Sequence, residues 1–201
     1  MLVQGDSSGE ASLLELTKEW LKLEFNKPGN VFLGLLHRLD RPVSGVVLFA
    51  RTSKSASRLS LQFRERSVRK IYRAVVQNRL NPENGTLENY LRKERSMKAT
   101  VFPNPAPGSK RAELSYRTLE VQDSKSLIEI ELKTGRFHQI RAQLSFAGCP
   151  IWGDRKYRST ISLPEEGIAL FAYSLEFLHP ISGESIEIFA EAPQNWPFSS
   201  S

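Results

Sequence analysis

GLLHRLDRPVSGVVLFA, the stretch at residues 34–50, combines an apolar run, a charged loop and a second apolar run. The second run, residues 46–50, has the length and β-branched content of a buried strand. Pro42 and Gly45 favour a turn before it. A carboxylate on a loop that leads into a core strand is held rigidly and can be presented to a cleft. Asp40 occupies that position and is therefore the first candidate for a functional residue.

Two arginines, Arg38 and Arg41, flank Asp40 in this loop. A positive charge close to a carboxylate lowers its pKa, so the sequence predicts an Asp40 that is held in its ionised form. The alternative is a turn aspartate between two solvated arginines, since most charged loop residues lie on the surface. The residues of the loop alone leave both interpretations open.

Three motifs of the chain resemble those of the RluA-type RNA pseudouridine synthases. They are HRLD at residues 37–40 with Ser44-Gly45, KIYRA at residues 70–74, and LKTGRFHQIR at residues 132–141 with GCPIWGDRKY at residues 148–157. Their order and spacing match the family, and the likeness extends over residues 35–193. Protein kinases also use a His-Arg-Asp loop, but a leucine intervenes here, and no glycine-rich loop or Asp-Phe-Gly accompanies it. The sequence therefore excludes a kinase.

The resemblance implies a catalytic role for three residues. Asp40 is the catalytic carboxylate, Tyr72 packs against the uracil, and Arg141 pairs with Asp40. The implied reaction breaks the N1 glycosidic bond of a uridine, rotates the base and joins C5 to C1′. Because this is an isomerisation, no cofactor, redox group or ATP is expected. Whether the aspartate attacks the sugar, adds to the base or directs a glycal route is not decided by the sequence.

Four basic residues of the motifs are predicted to bind RNA: Arg38, Arg41, Lys70 and Arg136. A target base must leave its stack to reach a protein pocket, and the resemblance implies that Arg38 fills the vacated space. A guanidinium stacks on bases as well as binding phosphate. Two wider basic stretches also suggest phosphate contacts, with solvated surface charge as the alternative. They contain Arg51, Lys54, Arg58, Arg64, Arg66, Arg69, Lys70 and Arg73, and Arg92, Lys93, Arg95, Lys98, Lys110 and Arg111.

The other polar residues of the third motif favour structural roles. His138 is expected to hydrogen-bond rather than to act as a general base, and Asp154 and Tyr157 lie in a predicted tight turn. Arg136 and Arg141 also have a structural alternative, in which each pairs with an acidic neighbour. That alternative stays open on the residues alone.

Composition and charge agree with an RNA-binding protein of ordinary globular type. The chain has 201 residues, 40% of them hydrophobic, and a net charge of +6. All 28 basic residues lie within residues 1–158, together with only 16 of the 22 acidic residues, which favours a polyanionic partner.

With one cysteine, Cys149, and three scattered histidines, neither a disulfide nor a zinc site is expected. No apolar stretch approaches twenty residues and no signal peptide is apparent, so a cytoplasmic protein without a transmembrane helix is expected, with an organelle as the alternative location.

Local patterns predict the elements. A capping box at Ser12 begins an amphipathic helix in which Leu13, Leu16, Trp20 and Leu23 repeat at helical spacing, and Trp20 is expected in the core. Ser53 is expected to cap a second helix. Residues 81–110 look like a loop. The remaining predictions are strands at 71–76, 168–177 and 185–190, a hairpin at 112–122 and 126–133, and a helix at 137–146 that ends at Gly148.

The predicted fold class is α+β, a mixed and largely antiparallel sheet flanked by helices, resembling the pseudouridine synthase catalytic core. Residues 1–201 are expected to form one domain, with a tail at 194–201 and without the N-terminal strand region that the family usually carries. The expected partner is structured RNA, either ribosomal or transfer RNA, and the default state is a monomer. Two rival functions remain: an inactive RNA-binding or RNA-folding module on the same scaffold, and a base glycosylase that releases free base.

Overall fold

The computed structural model describes residues 1–5, 9–163 and 167–198, and these ranges contain three α-helices and ten strands. The helices are α1 (Leu13–Glu24), α2 (Ser53–Glu65) and α3 (Gln139–Phe146), and a short 3-10 helix covers Arg155–Tyr157. The strands are β1 (Gly34–Leu35), β2 (Ser44–Gly45), β3 (Phe49–Ala50), β4 (Arg69–Gln77), β5 (Asn84–Lys93), β6 (Ala99–Phe102), β7 (Lys110–Gln122), β8 (Lys125–Leu132), β9 (Leu170–Leu178) and β10 (Ser185–Phe189).

One eight-stranded sheet organises the described chain. Its order is β10-β9-β4-β8-β7-β5-β6, and β2 lies beside β9. Neighbouring strands are antiparallel except for β2 and β9, which are parallel. β1 and β3 form a separate antiparallel pair. The predicted α+β class with a largely antiparallel sheet is confirmed.

The largest apolar cluster covers the centre of the sheet. Ile140 and Leu144 of α3 belong to it, and they are one helical turn apart on the same face. Its fully buried strand residues are Ala74, Val75 and Val76 of β4, Leu114 of β7, and Ile128 and Ile130 of β8. Because α3 packs on these strands, the residues at its start are fixed relative to β4.

Several predicted elements are confirmed. The capping box at Ser12 is present, with the Ser12 hydroxyl accepting from Glu15 N and the Glu15 carboxylate accepting from Ser12 N. β7 and β8 form the predicted hairpin. α3 ends as expected before Gly148, where Cys149 N donates to Leu144 O at 2.9 Å.

The prediction of a strand at residues 46–50 is wrong in its extent. Only Phe49–Ala50 pairs as β3, and the preceding Ser44–Gly45 pairs with β9 instead. Val46 N donates to Ala172 O, so the chain leaves the large sheet there and joins the small one three residues later. The apolar run is therefore a crossing between two sheets.

The expectation that Trp20 lies in the core is also wrong. Trp20 is 55% exposed and Leu23 is 78% exposed, whereas Leu21 on the opposite side of α1 is 4% exposed. Residues at i, i+4 and i+7 form one stripe of a helix, and the stripe Leu16-Trp20-Leu23 is the outward one. Amphipathic spacing identified the helix but not the face that is covered.

Two further local predictions need correction. Thr52 rather than Ser53 is the N-cap of α2, with its hydroxyl accepting from Ser55 N. Residues 81–110 are not a loop, because β5 and β6 form a hairpin there. The prolines of this region, Pro82 and those from Pro103 onward, lie outside both strands, so they mark its ends rather than its interior.

The C-terminal residues that the structure describes pack against the sheet. Phe198 is 5% exposed, and the Trp196 ring meets the Phe171 ring edge-on at 4.9 Å. Lys125 Nζ donates to Pro197 O at 2.9 Å. Residues 199–201 of the predicted tail lie outside the described ranges.

The backbone of Gly45 supports a test of the crossing between the two sheets. Its φ is +114°, and a Cβ there would lie 2.2 Å from Ala172 O. We expect Gly45→Ala to lower the free energy of unfolding by about 2 kcal/mol or more, since an added methyl forces a backbone shift. Chemical denaturation measures this loss.

Gly29→Ala is the matched control. Gly29 also has a positive φ, +78°, but nothing lies within 4 Å of its Cβ position. It should lose only the conformational cost of about 1 kcal/mol. Equal losses in the two variants would show that the contact with β9 does not constrain the loop.

Candidate active site

The loop that carries Asp40 is fixed at both ends. Leu48 N donates to His37 Nε2 at 2.9 Å, and the His37 ring stacks on Phe63 with centroids 5.0 Å apart. Burial, and then the charge of Lys70, lower the pKa of His37 to about 4, so its nitrogen is free to accept at neutral pH. Between these ends, Val43 N donates to Asp40 O at 2.9 Å and closes a turn. These contacts hold the loop, and with it the Asp40 backbone, in one conformation.

Arg141 of α3 joins this loop to the rest of the site. Its Nε and Nη2 donate to the two carboxylate oxygens of Asp154 at 2.7 and 2.8 Å. Its Nη1 lies 3.4 Å from Asp40 Oδ2. The side chains of Arg141 and Asp154 are 6% and 1% exposed, and that of Asp40 is 26% exposed. One buried guanidinium thus contacts a fully buried carboxylate and a second one that reaches solvent.

The prediction that flanking arginines hold the pKa of Asp40 low is wrong. Burial raises this pKa, and the charge and hydrogen bond of Arg141 offset the rise only in part. Arg38 Nη1 lies instead 3.4 Å from Gln4 Oε1, and Arg41 Nη2 donates to the two carboxylate oxygens of Glu10 at 2.9 and 3.1 Å. Arg38 and Arg41 therefore flank Asp40 in the sequence but bind other residues in the folded chain.

His138 has a defined orientation beside Asp40. Ala99 N donates to the Tyr157 hydroxyl at 2.7 Å, and that hydroxyl lies 2.9 Å from His138 Nδ1. The Tyr157 hydroxyl thereby fixes the orientation of the His138 ring, and the other ring nitrogen, Nε2, lies on the side of Asp40. This Nε2 lies 3.7 Å from Asp40 Oδ2.

The same histidine is neutral at physiological pH. Burial, and then the charges of Arg141, Lys156 and Lys93, lower the pKa of His138 to about 3. Its backbone φ is +51°, a conformation that costs energy in a residue with a side chain. His138 therefore lies beside Asp40 as a neutral polar group and does not supply a charge.

Gln139, which the sequence did not single out, holds the turn before α3. Its Oε1 accepts from Thr134 Oγ1 at 2.8 Å and from Arg136 N at 3.0 Å, and its Nε2 donates to Glu113 O at 3.0 Å. α3 begins at Gln139 rather than at residue 137 as predicted, because these bonds and the left-handed His138 define a separate turn. The turn aims His138 and Arg141 at Asp40.

Tyr72 of β4 lines the cleft with Asp40 and Arg141. β4 has an irregular register against β9 between Ile71 and Tyr72. Burial, and then the charge of Asp40, raise the pKa of Tyr72 well above its usual value. Its hydroxyl therefore stays protonated at neutral pH.

The cleft has a volume of about 880 Å³ and is strongly basic. Asp40 is the single carboxylate among the described residues that line it. Its nine cationic side chains include the four that were predicted to bind RNA, and Arg136 of that set also donates from Nε to Arg111 O at 2.8 Å. The nine are Arg38, Arg41, Arg64, Arg66, Lys70, Lys93, Arg136, Arg141 and Lys156.

The structure thus brings together Asp40, Tyr72 and Arg141, which come from three separate motifs. Sequence reasoning assigned Asp154 only a structural turn, although it is the main partner of Arg141. Asp154 belongs to the third motif, as Arg141 does, but no spacing rule predicts that a carboxylate thirteen positions away contacts the guanidinium. Among the described residues, no group of three or more acidic, histidine or cysteine side chains is arranged to hold a metal. None of the described helices has the length and apolar character needed to cross a bilayer.

Comparisons with known proteins agree with the resemblance found in the motifs. A family model for RNA pseudouridylate synthase matches residues 1–146. The ribosomal large subunit pseudouridine synthase C of Vibrio cholerae is 34% identical over 171 residues, which are 82% of this chain and 53% of the relative. The synthase D of Zymomonas mobilis is 32% identical over 170 residues, with shares of 81% and 53%. The chain therefore spans about half the length of these curated relatives.

A solved structure shows the same fold. Human RNA pseudouridylate synthase domain containing 4 superposes with a TM-score of 0.80, covering 96% of this chain and 82% of that one, at 22% sequence identity. The predicted family and fold are confirmed by these matches, whereas the roles of individual site residues stay predictions.

The two carboxylates on Arg141 are expected to differ in their effect on stability. Asp154→Asn should lower the free energy of unfolding by about 3 kcal/mol or more, because the buried guanidinium of Arg141 loses the counter-charge to which it makes its two short bonds. Asp40→Asn should leave that free energy equal or higher at neutral pH, because burial disfavours the ionised Asp40. Chemical denaturation of the two variants gives the comparison, and equal losses would contradict it.

The two partly buried histidines, His37 and His138, predict how stability depends on pH. Their pKa values in the folded chain, about 4 for His37 and about 3 for His138, lie below the ordinary 6.5. Below pH 6.5 the unfolded chain therefore binds protons that the folded chain does not, and stability falls as the pH is lowered toward these values. Each histidine contributes a slope of about 1.4 kcal/mol per pH unit in that window.

Denaturation at about pH 7 and about pH 5 tests this slope. The variants His37→Gln and His138→Gln control for the carboxylates, which titrate in the same range. Each substitution should flatten the loss of stability between the two pH values. An unchanged slope in both variants would mean that folding does not lower the pKa of either histidine.

Proposed function

We propose that this chain, which belongs to the RNA pseudouridylate synthase family, converts specific uridines of structured RNA to pseudouridine. The observation that carries the proposal is the position of Asp40, the one carboxylate among the described cleft residues, beside Tyr72 and Arg141 within a strongly basic cleft. Such a cleft attracts a polyanion and admits one carboxylate to the reacting atoms.

The proposed reaction is balanced within the nucleotide. The bond between N1 and C1′ breaks, and a bond between C5 and C1′ forms. The hydrogen on C5 is lost and N1 gains one, so the product is an isomer of the substrate. The protein must hold the freed base, allow it to rotate and move one proton.

Asp40 acts in its ionised form under this proposal. Attack on C1′, addition to the base and removal of a proton along a glycal route all require a carboxylate rather than a carboxylic acid. Arg141 favours that form by its charge and its hydrogen bond, while partial burial keeps the oxygens poorly hydrated and reactive. The neutral His138 lies 3.7 Å from the same carboxylate and adds no charge beside it.

Tyr72 stacks on the extruded uracil, and its protonated hydroxyl is available to donate a hydrogen bond. Arg38 Nη1 lies 3.4 Å from Gln4 Oε1, and this exposed contact is easily exchanged for a base or a phosphate. Arg41 exchanges Glu10 for a phosphate in the same way, since an exposed ion pair contributes little. Lys70 and Arg136 contact the backbone of the same RNA.

The substrate class in this proposal is ribosomal or transfer RNA in the cytoplasm. Both named relatives carry a ribosomal large subunit name, which favours ribosomal RNA. Residues 1–201 act as one catalytic domain and as a monomer, because a single copy of the chain supplies all of Asp40, Tyr72 and Arg141. No cofactor takes part.

Pseudouridine mapping tests the function directly. Carbodiimide-based sequencing of total RNA would compare cells that lack the protein with cells complemented by wild type or by Asp40→Asn. We expect at least one uridine whose signal is restored by wild type and reduced about a hundredfold or more with Asp40→Asn.

Asp123→Asn, in the exposed hairpin turn between β7 and β8, is the matched control and should restore the signal fully. Restoration by Asp40→Asn would remove Asp40 from the chemistry. A complete absence of changed positions would favour the inactive RNA-binding module, and release of free uracil from RNA would indicate a glycosylase.

A further inference from the structure

Arg66 occupies a backbone position that suits glycine. It follows the last residue of α2 with φ +61° and ψ +26°, and its N–H bonds to Phe63 O. This left-handed conformation is the usual site of a C-terminal glycine, because a side chain there costs energy. A large charged residue at such a position is a reason to look for a function of its side chain.

The Arg66 side chain faces the cleft together with Arg64 and Lys70. In the described part of the chain, these three cations form no ion pair with a carboxylate. Burial, and then the charge of Arg66, lower the pKa of Lys70, so the two cations are close enough to repel one another. A site with this charge is completed by an anion.

The opposite face of β4 shows the contrast. Arg69 lies 3.6 Å from Glu131 and 3.7 Å from Glu176, and Arg73 lies 3.4 Å from Glu129. Positive charge on that face is therefore balanced inside the protein. On the cleft face of the same strand, the positive charge of Lys70 has no such carboxylate partner among the described residues and is available to a ligand.

We propose that Arg66, supported by Arg64 and Lys70, binds a phosphodiester of the RNA backbone next to the extruded uridine. The proposal rests on the proposed function for the identity of the ligand. Lys70 and Tyr72 are two residues apart on β4, roughly 7 Å along the strand, so an anion at Lys70 is close to a base held by Tyr72. The binding of this phosphate explains why arginine rather than glycine ends α2.

Arg66→Gly separates binding from folding, because glycine adopts the left-handed conformation freely. The variant should melt at the wild-type temperature or above it. Its affinity for unmodified transcripts of large-subunit ribosomal RNA should fall, and the slope of log Kd against log salt should decrease by about 0.7–0.9, the loss of one phosphate contact. Filter binding between about 50 and 200 mM KCl gives this slope. Arg66→Lys, which keeps the charge, should keep most of it.

Arg158→Gly is the matched control. Arg158 is also a left-handed arginine, with φ +72°, but it is not among the residues that line the cleft. It should lose one positive charge and keep the wild-type slope. The proposal is overturned if Arg66→Gly binds with an unchanged slope, or if Arg158→Gly reduces the slope equally.

The same transcripts, analysed for pseudouridine after incubation with wild type, keep this test apart from that of the proposed function. A slope that depends on Arg66 without any product would contradict the synthase activity and leave the phosphate site in place. If pseudouridine forms but the salt dependence of binding is the same in wild type and Arg66→Gly, the synthase activity is supported and the phosphate site is contradicted. A wild type that shows no salt-dependent binding overturns the phosphate site as well.

Discussion

The buried guanidinium of Arg141 is the constraint on which the site depends. A buried charge is tolerated only when it is paired and hydrogen-bonded, and Asp154 meets that requirement alone with two short bonds. Nη1 is thereby left to contact Asp40, which does not have to neutralise the arginine. Because Asp154 neutralises Arg141, the contact with Nη1 fixes Asp40 relative to α3, and one side of the Asp40 carboxylate stays open to the cleft.

Asp40 is consequently held between opposing influences. Burial raises its pKa and Arg141 acts against the rise, while the two neighbouring imidazoles, His37 and His138, are neutral. A carboxylate in such a place is less hydrated than one in water, and its charge is not cancelled by a tight ion pair. The positive cleft around it attracts RNA, and the phosphates of a bound strand would in turn offset the repulsion among the cations.

Local sequence signals predicted the parts of the fold that depend on neighbours in the chain. The capping box at Ser12, the β7–β8 hairpin and the end of α3 before Gly148 all follow from residues within a few positions of one another. The exposed Trp20, the partnership of Asp154 with Arg141 and the raised pKa of Asp40 depend on packing between distant segments. The motifs brought three site residues to notice, but the order of contacts around Arg141 is a property of the folded chain.

Strand β4 shows why a count of basic residues is a poor guide to a binding surface. Its alternation sends Arg69 and Arg73 to a face where glutamates balance them, and it sends Lys70 and Tyr72 to the cleft. Neighbouring cations of one basic run therefore differ in their partners. Arg69 and Arg73 are paired with glutamates of the protein, whereas Lys70 is available to a ligand. The period of two residues, rather than the density of charge, separates the structural cations of this chain from those that face the cleft.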